Sequence, residues 1–111
     1  MNRRRHPRIA LTGMVADISD GRGFFTGRVH DISRFGLALD DIPAKIDSQA
    51  HHLTVIVDGQ GCHFKMKISP RWETVAGRQK FIGGRIEQSS IAWTDFVMHF
   101  EPENDDFWGN S

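Results

Sequence analysis

Two short segments of the sequence hold the residue types best suited to gripping an anion. The first is Arg4-Arg5-His6-Pro7-Arg8, in which two arginines are separated by three residues and a proline sits between them. Pro7 biases His6 away from the helical region, so Arg4 and Arg8 are not stacked on one helix face, and the segment reads as an extended or bent arm. Fully extended, four residues span at most about 13–14 Å, a reach that lets two guanidiniums hold separate groups of one medium-sized anion. Each guanidinium offers planar donors for phosphate or guanine edges and a flat face for stacking. The second segment is Asp31-Ile32-Ser33-Arg34-Phe35-Gly36. In a regular strand Asp31 and Ser33 share a face, so their oxygens are expected to converge. Ser33 to Gly36 fits a tight turn whose last residue leaves the backbone open to a ligand. Each segment also has an ordinary reading, as a solvated basic terminus and as a hairpin turn.

The elements that must position these segments are mostly strands. Between Ile9 and Glu87 the chain is cut by Ser19-Asp20-Gly21, Ser33-Arg34-Phe35-Gly36, Asp58-Gly59-Gln60-Gly61 and Ala76-Gly77-Arg78, the punctuation of hairpins. Alternating runs such as Leu53, Val55, Val57 and Cys62, Phe64, Met66, Ile68 predict antiparallel strands near 9–18, 23–32, 36–41, 52–58, 62–69, 71–76 and 79–87, with 42–51 as the longest irregular connection. Strands so spaced build a small barrel or sandwich. After Glu87 the period changes: Trp93, Phe96, Val97 and Phe100 fall at i, i+3, i+4 and i+7 behind Ser89 or Ser90 as N-cap, which predicts a closing amphipathic helix whose stripe is core. Pro102 and the acidic residues after it end the helix, and 102–111 is expected to be a disordered tail.

Length and charge narrow the function. The chain has 111 residues, with Lys+Arg 14 against Asp+Glu 14, which bounds it to one small domain with a surface site in place of a deep enclosed one. The neutral sum hides an asymmetry, since Arg3, Arg4, Arg5 and Arg8 crowd one end and Glu101, Glu103, Asp105 and Asp106 the other. Duplex DNA calls for a broad basic surface, and the basic footprint here is local. Cys62 is the only cysteine, which excludes an internal disulfide and a paired-cysteine metal site. His51-His52 and Cys62-His63 lack the spacing to close a metal site and read as loop or strand residues, and Arg22 reads as a hairpin tip. A nucleophilic triad of His30, Asp31 and Ser33 is set aside, because adjacent strand residues point to opposite faces. No run of the sequence has the length of a membrane span, so no membrane insertion is expected and a cytoplasmic location is.

Taken together, an arm with Arg-x-x-x-Arg followed some twenty residues later by Asp-x-Ser-x-x-Gly in a small β domain resembles the PilZ family of cyclic di-GMP receptors. The resemblance extends over roughly residues 3–100, through the strand pattern, the Trp72 region, the pair Gly83-Gly84 and the closing helix. It implies an all-β fold, a six-stranded antiparallel barrel with a C-terminal α-helix, divided into an N-terminal arm over 1–8, a barrel with its helix over 9–101 and the tail. It implies that Arg4 and Arg8 contact phosphates and guanines, that Asp31, Ser33 and Gly36 contact guanine and the ligand backbone, and that Arg3 bears on how many ligand molecules stack. Phe35 departs from the small residue often found at its position, and is expected to pack beneath the arm or crowd it. The implied protein is a non-enzymatic bacterial receptor with no cofactor, acting through a separate effector protein; its oligomeric state is left open, with the monomer favoured. The alternatives are a PilZ-like interaction module without nucleotide and a barrel binding single-stranded RNA. The RNA reading wants exposed aromatics interleaved with basic residues, and no clear set is visible.

Overall fold

The computed structural model describes residues 6–47 and 49–102. Arg3 and Arg4, with most of the predicted arm, and the tail beyond Pro102 lie outside the described residues. The elements are β1 (Ile9–Ala10), β2 (Met14–Ser19), β3 (Phe24–Ser33), β4 (Gly36–Pro43), β5 (Leu53–Gly59), β6 (Cys62–Ala76), β7 (Gln79–Ile86) and α1 (Ile91–Phe100).

Six antiparallel strands close into a barrel in the order β3, β2, β5, β6, β7, β4, with β4 returning to pair with β3. The short β1 continues the line of β2 along β3, pairing Ile9 with Ile32 and Ala10 with Asp31. This is the six-stranded barrel with a C-terminal helix that the resemblance implies. Alternation along the strands fills the core: Met14, Ala16 and Ile18 from β2, Leu53, Val55 and Val57 from β5, and Leu37, Leu39 and Ile42 from β4 are all buried.

Boundaries differ from the sequence reading where the backbone leaves regularity. The strand expected over 9–18 is broken by Gly13, which takes a φ of +86°, a conformation open to glycine and strained for other residues. The segments expected as 62–69 and 71–76 are one strand, β6, with a bulge between Pro70 and Trp72. The connection expected from 42 begins later, because β4 runs on to Pro43 through a second irregularity against β7 between Leu39 and Ile42. Ile46, in that connection, is itself buried.

The third bulge corrects the reading of His30. Between Val29 and Asp31 the β3–β4 register shifts, so Val29 and Ile32 are buried while His30 and Asp31 both lie on the outer side, their side chains 4.0 Å apart. An extra residue in one strand turns two neighbours to the same face, which strict alternation forbids.

Of the two serines offered as N-cap, Ser90 accepts from Trp93 N at 3.0 Å. Trp93 and Val97 are buried, and Phe96 and Phe100 are half-buried at the edge of the stripe. Trp93 meets Phe64 edge-on at 5.2 Å between ring centres. Truncating Trp93→Ala is expected to cost about 3–5 kcal/mol of unfolding free energy, read as a fall in urea midpoint. Trp93→Phe should lose less, since it keeps a ring in the core and gives up the rest of the indole with its N–H.

Candidate functional site

The turn between β3 and β4 is held from three sides. Ser33 O accepts from the Trp93 indole N–H at 3.1 Å, Arg34 O from the Ser89 hydroxyl at 2.8 Å, and Phe35 O from Ile86 N at 2.9 Å. The Arg34 side chain reaches the end of α1, where its Nε and Nη2 each donate to Glu101 at 2.8 Å. Such a two-point grip is worth more than an ordinary surface ion pair because its geometry is fixed and both side chains are largely covered.

This pair shifts both titrations. The hydrogen bond from Arg34 holds the Glu101 carboxyl below the usual carboxylate range, outweighing burial, which acts the other way. Arg34 is correspondingly raised, first by the same hydrogen bond.

Beside the turn lies a surface cleft of about 390 Å³, lined by His6, Arg8, Ser33, Phe35, Gly36, Arg71, Trp72, Gly84 and Arg85. Its floor follows from the sheet register. One row across β3, β4, β7 and β6 reads Ser33, Gly36, Arg85, Ser69, and the next reads Asp31, Ala38, Gly83, Trp72. Gly36, Ala38 and Gly83 hold three of the four middle positions and Arg85 the fourth, so much of the floor is bare backbone. Three strand spacings, about 14 Å, separate the two ends, the breadth of a large flat ligand.

Trp72 lies against this floor. A Cβ at Gly83 would fall inside its indole ring, so only glycine lets the indole sit there. The indole stacks on Phe81 at 5.1 Å, and Phe81 meets His30 edge-on at 4.6 Å. His30 Nδ1 lies 3.1 Å from Asp40 Oδ2.

Three guanidiniums, Arg8, Arg71 and Arg85, line the cleft, and among the described residues none is joined to a carboxylate. Among the described residues, no carboxylate lines it either. Such a surface attracts a compact anion with flat groups.

Of the residues singled out from the sequence, Arg8, Ser33 and Gly36 come together here. Asp31 faces outward on the same strand, one row along from Ser33, and is not among the residues that line the cleft. Phe35 is half-exposed and carries the edge of the His6 ring at 5.0 Å, so it seats the arm. Arg3 and Arg4 lie outside the described residues. The sequence reading missed Arg71 and Arg85 as cleft residues, and counted Trp72 and Gly84 only as part of a pattern. The usable signal was the Pro70-Arg71-Trp72 run opposite Gly83-Gly84-Arg85, which needs the β6–β7 register to be read.

No family model and no curated protein matches the sequence. The fold is similar to that of the PilZ domain of YcgR from Escherichia coli, solved with c-di-GMP, at a TM-score of 0.64 and 17% identity over 99% of this chain and 100% of that one. It is also similar to the Bacillus subtilis inhibitor of motility MotI/DgrA, at a TM-score of 0.73 and 11% identity, covering 90% of this chain. The chain spans about half the length of that second protein, 50%. At these identities the likeness establishes the fold.

The Arg34–Glu101 pair carries a pH prediction. A carboxyl whose folded pKa is depressed stabilises the fold fully above its unfolded value of about 4.3, and the contribution is lost as pH falls through the folded value. Glu101→Gln is therefore expected to be less stable than the parent near neutrality, with the gap narrowing in acid, as measured by thermal melts across pH 3–7.

Proposed function

With the PilZ-type fold as premise, we propose that this chain is a non-enzymatic receptor for cyclic di-GMP that passes the signal to a separate protein. The observation that carries the reading is that Arg8 of the first motif and Ser33 and Gly36 of the second, far apart in sequence, line one cleft. The cyclic di-GMP in the YcgR domain of the same fold supports the choice of ligand.

The chemistry matches group by group. Cyclic di-GMP carries two phosphate charges and two guanines whose Hoogsteen edges present O6 and N7, and arginine serves both. Arg8, Arg71 and Arg85 supply these contacts from three directions, and Arg3 and Arg4 add to them from the arm. The exposed face of Trp72 offers a guanine a stacking surface. Asp31, at the far end of the Trp72 row, accepts from guanine N1–H and N2–H₂, donors that adenine does not offer in that pattern. Gly36 and Gly84 let the ligand approach the backbone. The arm folds over the ligand and, seated on Phe35, changes the surface offered to a partner.

Calorimetric titration tests this. Cyclic di-GMP should bind saturably, and cyclic di-AMP and linear pGpG much more weakly. Arg8→Ala should lose about 10- to 100-fold in affinity, the value of a charge-assisted hydrogen bond of roughly 1.5–3 kcal/mol. The absence of saturable heat at low salt would overturn the reading. A second set of variants tests the floor: Gly83→Ala, which displaces the indole without touching a ligand, should weaken binding in the same direction as Trp72→Ala, and unchanged affinity in both would remove Trp72 from the site.

A further inference from the structure

The chain leaves its last helix at the lip of the cleft. Glu101, the C-cap of α1, is clamped on Arg34, whose neighbours Ser33 and Phe35 both line the cleft. Its carboxyl is held down first by Arg34 and to a smaller extent by His6, a cleft residue near enough to act on it electrostatically. Pro102 follows at once, and the nine residues after it include Glu103, Asp105, Asp106, Phe107 and Trp108. Three carboxylates and two large aromatic rings therefore fall within six residues of sequence.

We propose that this C-terminal segment, residues 103–111, occupies the cleft of its own chain, where an anionic ligand must displace it. Charge and shape both favour the match. Arg8, Arg71 and Arg85 line the cleft with no carboxylate partner among the described residues, and carboxylates such as Asp105 and Asp106 are what guanidiniums pair with. The Trp72 indole, 36% exposed beside Gly83, offers a face to the ring of Phe107 or Trp108. Two negative charges with flat rings are also what a cyclic dinucleotide presents, so the segment is a peptide counterpart of the ligand. Its reach is sufficient. Six residues from Pro102 to Trp108 span at most about 20–22 Å, whereas the cleft is about 14 Å across its strands.

The other surface near the end of α1 suits the segment less. The groove between β6 and α1 is lined by Phe64, Phe96 and Phe100, but it carries the Asp95 carboxylate, two histidines and no arginine or lysine. It can seat rings, yet it lacks the fixed positive charge that the adjoining acidic residues call for. Being tethered, the segment acts in the cleft at an effective concentration in the millimolar range. A contact with a Kd of about 1 mM then weakens a competing ligand by about 2- to 10-fold. Competition with cyclic di-GMP rests on the nucleotide reading, whereas occupancy of the cleft does not, so the two are tested apart.

Without nucleotide, Asp105→Asn with Asp106→Asn, and separately Phe107→Ala with Trp108→Ala, should shift the amide resonances of Gly36 and Gly84 and the Trp72 indole N–H relative to the parent. About 1 M salt, where the Debye length falls to about 3 Å, should move the parent's resonances in the same direction. In a Cys62→Ser background, a nitroxide on Ser111→Cys should broaden those same resonances, equally at high and low protein concentration. Unshifted cleft resonances in both double variants, broadening centred on Phe64 and Phe96 instead, or broadening that fades on dilution overturns the proposal. In calorimetry the double Asn variant should bind cyclic di-GMP about 2- to 10-fold more tightly than the parent, and equal affinity would count against displacement. Cleft shifts in chains that fail to bind cyclic di-GMP at all would support the docking and remove the nucleotide reading.

Discussion

The cleft depends on one short turn being immobile. Arg34 and Phe35 join β3 to β4 with negative φ at both positions, and such a turn has little conformational preference of its own that would hold it against a ligand. Here its successive carbonyls are taken by the Trp93 indole, the Ser89 hydroxyl and the Ile86 amide, and the Arg34 side chain is clamped on Glu101. The helix thus does two jobs: Val97 and one face of Trp93 complete the core, and the polar edge of Trp93 fixes Ser33, which lines the cleft. A loop so tied gives a ligand a prepared surface, and less ordering entropy is lost on binding.

Around that turn, bulges decide where side chains aim. The irregularity at His30 puts His30 and Asp31 on the same side of the sheet, and the one between Pro70 and Trp72 brings Arg71 and Trp72 both to the cleft. Between them the small residues Ala38 and Gly83 leave a floor on which an indole can lie flat. The barrel provides rigid pairing, and its departures from regularity supply the chemistry.

Much of this was legible in the residues. The alternation of Leu53, Val55 and Val57, the glycine turns, and the four apolar positions of the last helix specify strands, hairpins and a closing helix locally, because each depends on period and turn chemistry within a few residues. The fold class followed. The candidate site was only half legible. Arg8, Ser33 and Gly36 stand in recognisable motifs, whereas Arg71 and Arg85 are ordinary strand arginines until the pairing of Pro70 with Gly84 and of Gly36 with Arg85 sets them beside the turn. Asp31 shows the converse: its motif groups it with Ser33, and the cleft is lined by Ser33 without it.

The sequence by itself determined the period of each element, the positions of the turns and the concentration of arginine near the N-terminus. All of these are properties of neighbouring residues and their stereochemistry. Only the tertiary structure decided which strand lies beside which, where an extra residue turns a side chain outward, and which arginines share the cleft with the turn. Those outcomes depend on barrel closure, a condition on strands distant in the chain that no local pattern encodes.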